Sequence, residues 1–237
     1  MLPRDNKMPK ITKIITDYDN KESIGSRLRR KRLASLMPLI NQAFERYGAV
    51  KILDVGGTRQ YWNIIDPSIL ESKNIHITLS NLHGTITPDN ENKFSYIEAD
   101  GCNLDMFDDN HFHILHSNSV VEHVGDWHRM VQFAKETRRV SRSYFVQTPN
   151  YWFPIEPHCM TPFFHWLPKP MRIQLVLYFS LGNWEKADSI SSACYIVDSA
   201  RLLNKKMLAE LFKDAHIKAE KIFGFTKSYM AIKNLSA

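Results

Sequence analysis

A chain of 237 residues is long enough for one α/β domain with a full core and a modest appendage, and short for two independent catalytic domains. With 43% apolar and 24% charged residues, disorder is excluded as a description of the whole chain. The formal net charge of +6 favours an anionic partner, but much of the excess sits in Arg27-Leu-Arg-Arg-Lys-Arg32, a local cluster rather than a basic face. Cys102, Cys159 and Cys194 are widely spaced and form no CxxC pair, so neither a disulfide framework nor a structural zinc site is expected. The first ten residues lack a signal-peptide core, and no apolar run reaches the roughly 18 residues of a membrane span. A cytoplasmic protein in a reducing compartment is expected.

Residues 1 to 19 read as a polar, proline-bearing arm. From Glu22 to Tyr47, Ile24, Leu28, Leu33, Leu36, Met37, Leu39, Ile40 and Phe44 recur at helical spacing, and Gly48 supplies a stop. This predicts an amphipathic helix, broken at most once, whose basic first half is either a solvated face or a patch that meets a polyanion or an anionic membrane. Short apolar runs then predict buried strands at Val50 to Val55, Ile75 to Leu79, Phe94 to Glu98, Phe112 to His116 and Tyr144 to Gln147. The stretch Trp127 to Val140 predicts a helix, with Trp127 in the core and Val131, Phe133, Ala134 and Val140 covering the sheet. Residues 151 to 198 hold five prolines and many aromatics without clean alternation, as an inserted lid or substrate segment would. A helix at Asn204 to Phe212 and two strands, Ile217 to Phe223 and Ser228 to Ile232, follow; the short link at Gly224 makes the last pair an antiparallel hairpin. The expected fold is α/β: a Rossmann-like, doubly wound, seven-stranded and mostly parallel sheet with an antiparallel C-terminal hairpin and an inserted lid. Residues 1–47 form the arm and helix, and residues 48–237 the domain that carries the insertion at 151–198.

The segment Ile52-Leu-Asp-Val-Gly-Gly-Thr58 puts an acid and two glycines at the carboxyl end of the first strand, where open α/β sheets bind ligands. It lacks GxGxxG spacing, and no GxxxxGK[ST] occurs, which points away from a dinucleotide or nucleoside triphosphate and toward another nucleoside ligand; the alternative is an ordinary tight turn. Tyr96-Ile-Glu-Ala-Asp-Gly-Cys102 closes the third strand, and Ile114-Leu-His-Ser-Asn-Ser-Val-Val-Glu-His-Val124 follows the fourth.

In this order the segments resemble class I S-adenosylmethionine-dependent methyltransferases, especially the small bacterial kind related to the ubiquinone and menaquinone methyltransferases. The resemblance runs from about Lys51 to Asn150, with the terminal hairpin in agreement. It implies S-adenosylmethionine as cofactor, S-adenosylhomocysteine as product and a small-molecule acceptor with an oxygen, nitrogen or carbon nucleophile. By position it implicates Asp54, Gly56, Gly57 and Thr58 around the methionine part, Asp100, Gly101 and Cys102 beside adenine, and Ser117, Asn118 and Ser119 toward the methionine end. Two departures stand out: Ile77-Thr-Leu-Ser-Asn-Leu82 carries no acid for the ribose, leaving Asn81 in preference to Ser80, and Arg59-Gln-Tyr-Trp62 replaces a third small residue of the loop.

Pro149-Asn-Tyr-Trp-Phe-Pro-Ile-Glu-Pro-His158 starts at the binding edge. Tyr151, Trp152, Glu156 and His158 are therefore the substrate-contact candidates, with His158 the candidate base. The competing readings are structural: His158 without an orienting partner, His165 packed, His123 under the loop and Glu122 capping a helix. No metal site is expected, because no carboxylate or cysteine joins His111, His113 and His116. Two alternatives to an enzyme of this kind are a methyltransferase-like domain that docks on nucleic acid or membrane through Arg27, Arg29, Arg30, Lys31 and Arg32, and, more weakly, a nicotinamide reductase on a similar sheet.

Overall fold

A computed structural model describes residues 24–83 and 93–235, so the expected N-terminal arm lies outside the described residues. The first helix, α1, spans Ile24–Tyr47 and runs unbroken through Pro38. Gly48 ends it in the left-handed conformation, φ +69°, and its N–H bonds to Phe44 O at 2.8 Å, which is the glycine stop expected there.

Seven strands form one sheet in the order β3-β2-β1-β4-β5-β7-β6. They are β1 Val50–Val55, β2 Ile75–Asn81, β3 Phe94–Glu98, β4 Phe112–Asn118, β5 Ser141–Pro149, β6 His216–Ile222 and β7 Phe225–Lys233. The first five are parallel, and β7 pairs antiparallel with both β5 and β6. Phe223 and Gly224 both take positive φ, the geometry that a two-residue hairpin turn requires. β1 to β3 build outward to one side, whereas β4 returns to the other side of β1. The order therefore reverses between β1 and β4, the position on the carboxyl edge at which open α/β sheets bind ligands.

Alternation along the strands feeds two cores. Val50, Ile52, Ile75, Ile77, Leu79 and Ile114 pack with Leu36, Leu39, Ile40 and Ala43 of α1, so the helix from Leu33 onward belongs to the compact unit of the sheet. On the other face Leu53, Val55 and Leu115 pack with Met130, Phe133, Ala134 and Val140 of the helix α4, Trp127–Val140. Trp127 and Val131 are exposed there, at 39% and 43%, contrary to expectation. Asp126 caps this helix, accepting the Arg129 N–H at 3.0 Å.

Two short helices absent from the sequence reading, α2 Arg59–Trp62 and α3 Pro67–Ser72, lie between β1 and β2. A second compact unit comprises residues 24–32 and 153–199 among those described. Its second part, in which the sequence shows no clean alternation, contains α5 Lys169–Tyr178 and α6 Ile190–Asp198 around a small core of Cys159, Phe164, Val176, Ala187, Ala193 and Val197. Helix α7, Lys205–Leu211, returns the chain to the sheet unit. Among the described residues, no helix is long and apolar enough to cross a membrane.

Several carboxylates of the sheet unit are anchored. Arg139 holds Glu136 below its ordinary pKa against burial, helped by the Leu104 N–H. Burial pushes Asp214 up, but the Tyr144 hydroxyl and the Lys233 ammonium at 3.1 Å outweigh it. Groups whose folded pKa is depressed stabilise fully above their unfolded value, and that stabilisation is lost as pH falls toward the folded value. The urea midpoint is therefore expected to drop from about pH 7 to about pH 3, with the decline beginning near the ordinary carboxyl pKa of about 4. An unchanged midpoint in urea titrations at the two pH values would contradict this assignment.

Candidate functional site at the carboxyl edge of the sheet

The site is built where β1 ends. Gly56 takes φ +73° and donates its N–H to Ser80 O at 2.7 Å, turning the chain back at the strand tip. A Cβ on Gly56 would lie 2.4 Å from a methyl of Val120, and one on Gly57 would lie 1.7 Å from Asp54 Oδ2. Both glycines are thus required by the protein's own packing, which brings the Gly57 backbone directly over the preceding acid. Thr58 is exposed and stands at the N-terminus of α2, where its side chain makes no capping hydrogen bond.

Asp54 was expected to face the ligand; the structure instead turns its carboxylate inward. It is wholly buried and accepts the Trp62 Nε1–H at Oδ2, 2.7 Å, while Oδ1 meets His116 Nδ1 at 2.7 Å. His116 Nε2 in turn meets the Tyr61 hydroxyl at 3.1 Å, and Phe145 stacks on the imidazole with a 12° tilt. Tyr61 and Trp62 come from the Arg59-Gln-Tyr-Trp62 turn that departs from the usual loop. That departure supplies one of the two donors the buried carboxylate needs, the Trp62 indole, and the Tyr61 hydroxyl that meets the ring of the other. Arg59 itself lies over the Phe94 ring, 4.6 Å from its centre.

Asn81, at the end of β2, donates Nδ2 to Gly57 O at 2.9 Å, which ties the two strand ends together. Its register partner on β3 is Glu98, an acid one strand over from the position where one was missed; it pairs with His83. Just beyond, Asp100 accepts the Cys102 N–H at 2.9 Å and pairs with the Arg129 guanidinium. Burial pushes the Asp100 carboxyl up, but these donors outweigh it and hold it below the ordinary range. Cys102 is buried and donates its thiol to Arg129 O at 3.3 Å, and burial pushes that thiol up to about 11, so it is no nucleophile at neutral pH. A Cβ on Gly101 would lie 2.7 Å from Val55 and 3.0 Å from Phe133, so this glycine too is a packing requirement.

On the other side of β1, Ser117 is aligned with Val55, and Val55 with Ser80. Both serines are fully buried, and neither hydroxyl has a hydrogen-bond partner. Asn118 ends β4 half-buried, and Ser119 takes φ +57° and donates its hydroxyl to Gln147 at 3.0 Å. Glu122, considered as a helix cap, is instead buried in a 3-10 turn, Val121–His123, and accepts the Thr148 hydroxyl at 2.9 Å. The four strand ends β3, β2, β1 and β4 thus bring Asp100, Asn81, the glycine loop and Ser117 to one edge.

Tyr151 and Trp152 follow β5 in the same unit. The Tyr151 N–H bonds to Leu203 O at 2.9 Å, and the Trp152 indole is 62% exposed, with the Tyr151 ring edge-on to it at 4.9 Å. In the second unit Glu156 and His158 form a dyad: His158 Nδ1 meets Glu156 Oε1 at 2.7 Å. Glu156 Oε2 accepts the backbone N–H groups of His158 and Cys159, each at 2.7 Å, which fixes the carboxylate. Burial pushes Glu156 up, yet His158 and these amides hold it below the ordinary range, so it is ionised near neutral pH. The sequence reading found no orienting partner for His158; the partner is the acid two residues earlier, in a turn that folds back on its own amides.

No protein-family model matches the chain, and no curated protein does. Solved structures of similar course include a SAM-dependent methyltransferase from Archaeoglobus fulgidus, at 14% identity and TM-score 0.49 over 86% of this chain and 94% of that one. The PH0226 protein from Pyrococcus horikoshii OT3 is similar at 16% identity and TM-score 0.49 over 94% and 96%. A SAM-dependent methyltransferase from Methanosarcina mazei is similar at 15% and 0.45 over 79% and 94%. Likenesses this distant assign no residue a role, and the functional reading rests on the residues of the site.

Of the expected site residues, Gly56, Gly57, Thr58, Asn81, Asp100, Gly101, Cys102, Ser117 and Asn118 all lie at the carboxyl edge, while Asp54 lies beneath it. Trp62, Tyr61, His116 and Arg129 were missed as parts of it. Within the basic run, Arg27, Arg30 and Lys31 are exposed at i, i+3 and i+4, but Arg29 is half-buried and Arg32 is 8% exposed, so the run is not a five-cation face.

Proposed function

We propose that the protein is an S-adenosylmethionine-dependent methyltransferase acting on a small-molecule acceptor. The observation that carries this reading is the convergence, at the point where strand order reverses, of the glycine loop, Asn81 and the half-exposed Asp100 carboxylate. Polar groups gathered at the carboxyl edge of an open α/β sheet suit a polar ligand. The ends of the site suit the parts of the cofactor. The loop amides from Gly56 to Thr58 suit a carboxylate. Asn81, its amide nitrogen occupied by Gly57 O, keeps Oδ1 as an acceptor for a ribose hydroxyl. Asp100, ionised and half-exposed, suits the exocyclic amine of adenine, with Gly101 and Cys102 beside it. Ser117 and Asn118 serve the methionine end.

When bound, S-adenosylmethionine supplies a methyl group on a sulfonium, which an acceptor nucleophile displaces as the carbon–sulfur bond breaks and its electron pair returns to sulfur. The chain's part is alignment and proton removal. His158, its ring oriented by ionised Glu156 through Nδ1, is the residue this reading assigns as base for the acceptor's proton, and Tyr151 and Trp152 offer aromatic surface for the acceptor itself. Calorimetric titration with S-adenosylmethionine tests the reading: saturable one-site binding is expected in the wild type, and Asp100→Ala should weaken it by on the order of tenfold to a hundredfold, the scale of a lost charge-assisted hydrogen bond.

A further inference from the structure

Asp54, Tyr61, Trp62 and His116 form a closed assembly that the binding roles above do not use. Asp54 precedes the glycine loop, and Tyr61 and Trp62 follow it, so the loop is gripped from both ends. The donors can be followed without a gap: Trp62 Nε1–H to Asp54 Oδ2 at 2.7 Å, His116 Nδ1 to Oδ1 at 2.7 Å, and Tyr61 to His116 Nε2 at 3.1 Å. An ionised Asp54 can only accept, so the hydrogen bond at Oδ1 places a proton on His116 Nδ1, while the Tyr61 hydroxyl meets Nε2. All four side chains are at most 5% exposed. Above them Gly57 sits so close to Asp54 Oδ2 that even a Cβ would overlap it.

We infer that Trp62, His116 and Tyr61 are positioning residues: they lock the Asp54 carboxylate as a platform under Gly57, and the platform sets the direction of the loop's backbone amides toward the ligand. The acid of this loop then acts on the ligand through the backbone above it and not by contact. A carboxylate deprived of one of its two buried donors must find another. The nearest groups are those of the loop itself, so loss of the Trp62 N–H is transmitted to Gly57. The inference rests on the reading of this edge as the S-adenosylmethionine site, and the experiment separates the two.

Trp62→Phe removes the indole N–H while keeping an aromatic ring, Tyr61→Phe removes only the hydroxyl at the far end of the chain of donors, and Ile65→Val trims the same core without touching the network. In the ligand-free proteins, hydrogen exchange of the Gly56 amide is expected to rise on the order of tenfold in Trp62→Phe, less in Tyr61→Phe, and to stay at the wild-type value in Ile65→Val. The affinity for S-adenosylmethionine should fall in the same order, on the order of tenfold for Trp62→Phe. Nitrogen NMR of His116 should show Nδ1 protonated in the wild type and the other tautomer in Asp54→Asn, whose amide can donate to Nδ1. Unchanged exchange in Trp62→Phe, or raised exchange with unchanged affinity, overturns the positioning role. If wild-type protein does not bind S-adenosylmethionine, the ligand reading fails, and exchange and tautomer still decide the platform. Should Trp62→Phe not fold, Tyr61→Phe carries the same comparison.

Discussion

Gly57→Ala is expected to abolish S-adenosylmethionine binding while Gly48→Ala leaves it intact. Both positions lose a glycine, but for different physical reasons. At Gly57 the new Cβ would lie 1.7 Å from Asp54 Oδ2, inside a covalent bond's neighbourhood of the carboxylate. Either the loop lifts from the strand tip or Asp54 leaves Trp62 and His116, and a buried carboxylate left without its donors costs about 1–3 kcal/mol or more. At Gly48 nothing lies within 4 Å of the added atom, so the cost is that of a left-handed φ alone, about 1–2 kcal/mol, and it falls on α1, away from the loop. Calorimetry for affinity and thermal unfolding for stability separate the two. A Gly57→Ala protein that binds S-adenosylmethionine like the wild type would show that the loop is not where the ligand meets the chain.

His158→Asn should bind S-adenosylmethionine like the wild type and turn over more slowly by about 10²–10⁴-fold, the usual contribution of a positioned general base. S-adenosylhomocysteine release against a panel of small phenols, amines and carboxylic acids is the measurement. Glu156→Gln should lose less, about tenfold, because the amide oxygen can still accept both backbone N–H groups that now meet Oε2, while the imidazole loses its ionised partner. Equal rates for His158→Asn and wild type at every pH would remove His158 from the chemistry and leave the dyad a structural turn.

The parts of this account that were legible in the sequence are those fixed by local patterning. Runs such as Val50 to Val55 and Phe112 to His116 are apolar because a parallel strand is buried on both faces, and the Gly56-Gly57 pair marks a chain reversal at a strand tip. The β3 and β4 tips were found by the same logic. Strand ends were missed where polar residues continue the ladder: Ser80 and Asn81 extend β2, and Ser141 to Ser143 begin β5. The helices α5 and α6 were hidden by the prolines and aromatics around them, although Pro170 in the first turn of α5 is itself a helix-start signal.

Asp54 shows why side-chain roles were harder. An acid at a strand tip is compatible with a ligand contact or with a buried platform, and the difference is made by Trp62, eight residues on, and by His116 on a strand that is adjacent only after folding. In the sequence His116 stands with His111 and His113 as one of three closely spaced histidines. It is distinguished from them by register, since it is the Cα partner of Asp54. In the sequence Glu156 and His158 read as separate substrate contacts, and only the fold-back of a two-residue turn makes them a pair.

The central claim is that the carboxyl edge between β1 and β4 is an S-adenosylmethionine site, and calorimetric titration of wild-type and Asp100→Ala protein tests it most directly. The account predicts saturable one-site binding for the wild type and an affinity lower by on the order of tenfold to a hundredfold for Asp100→Ala. No measurable heat or saturation with wild-type protein, or equal affinity in the two proteins, would contradict it.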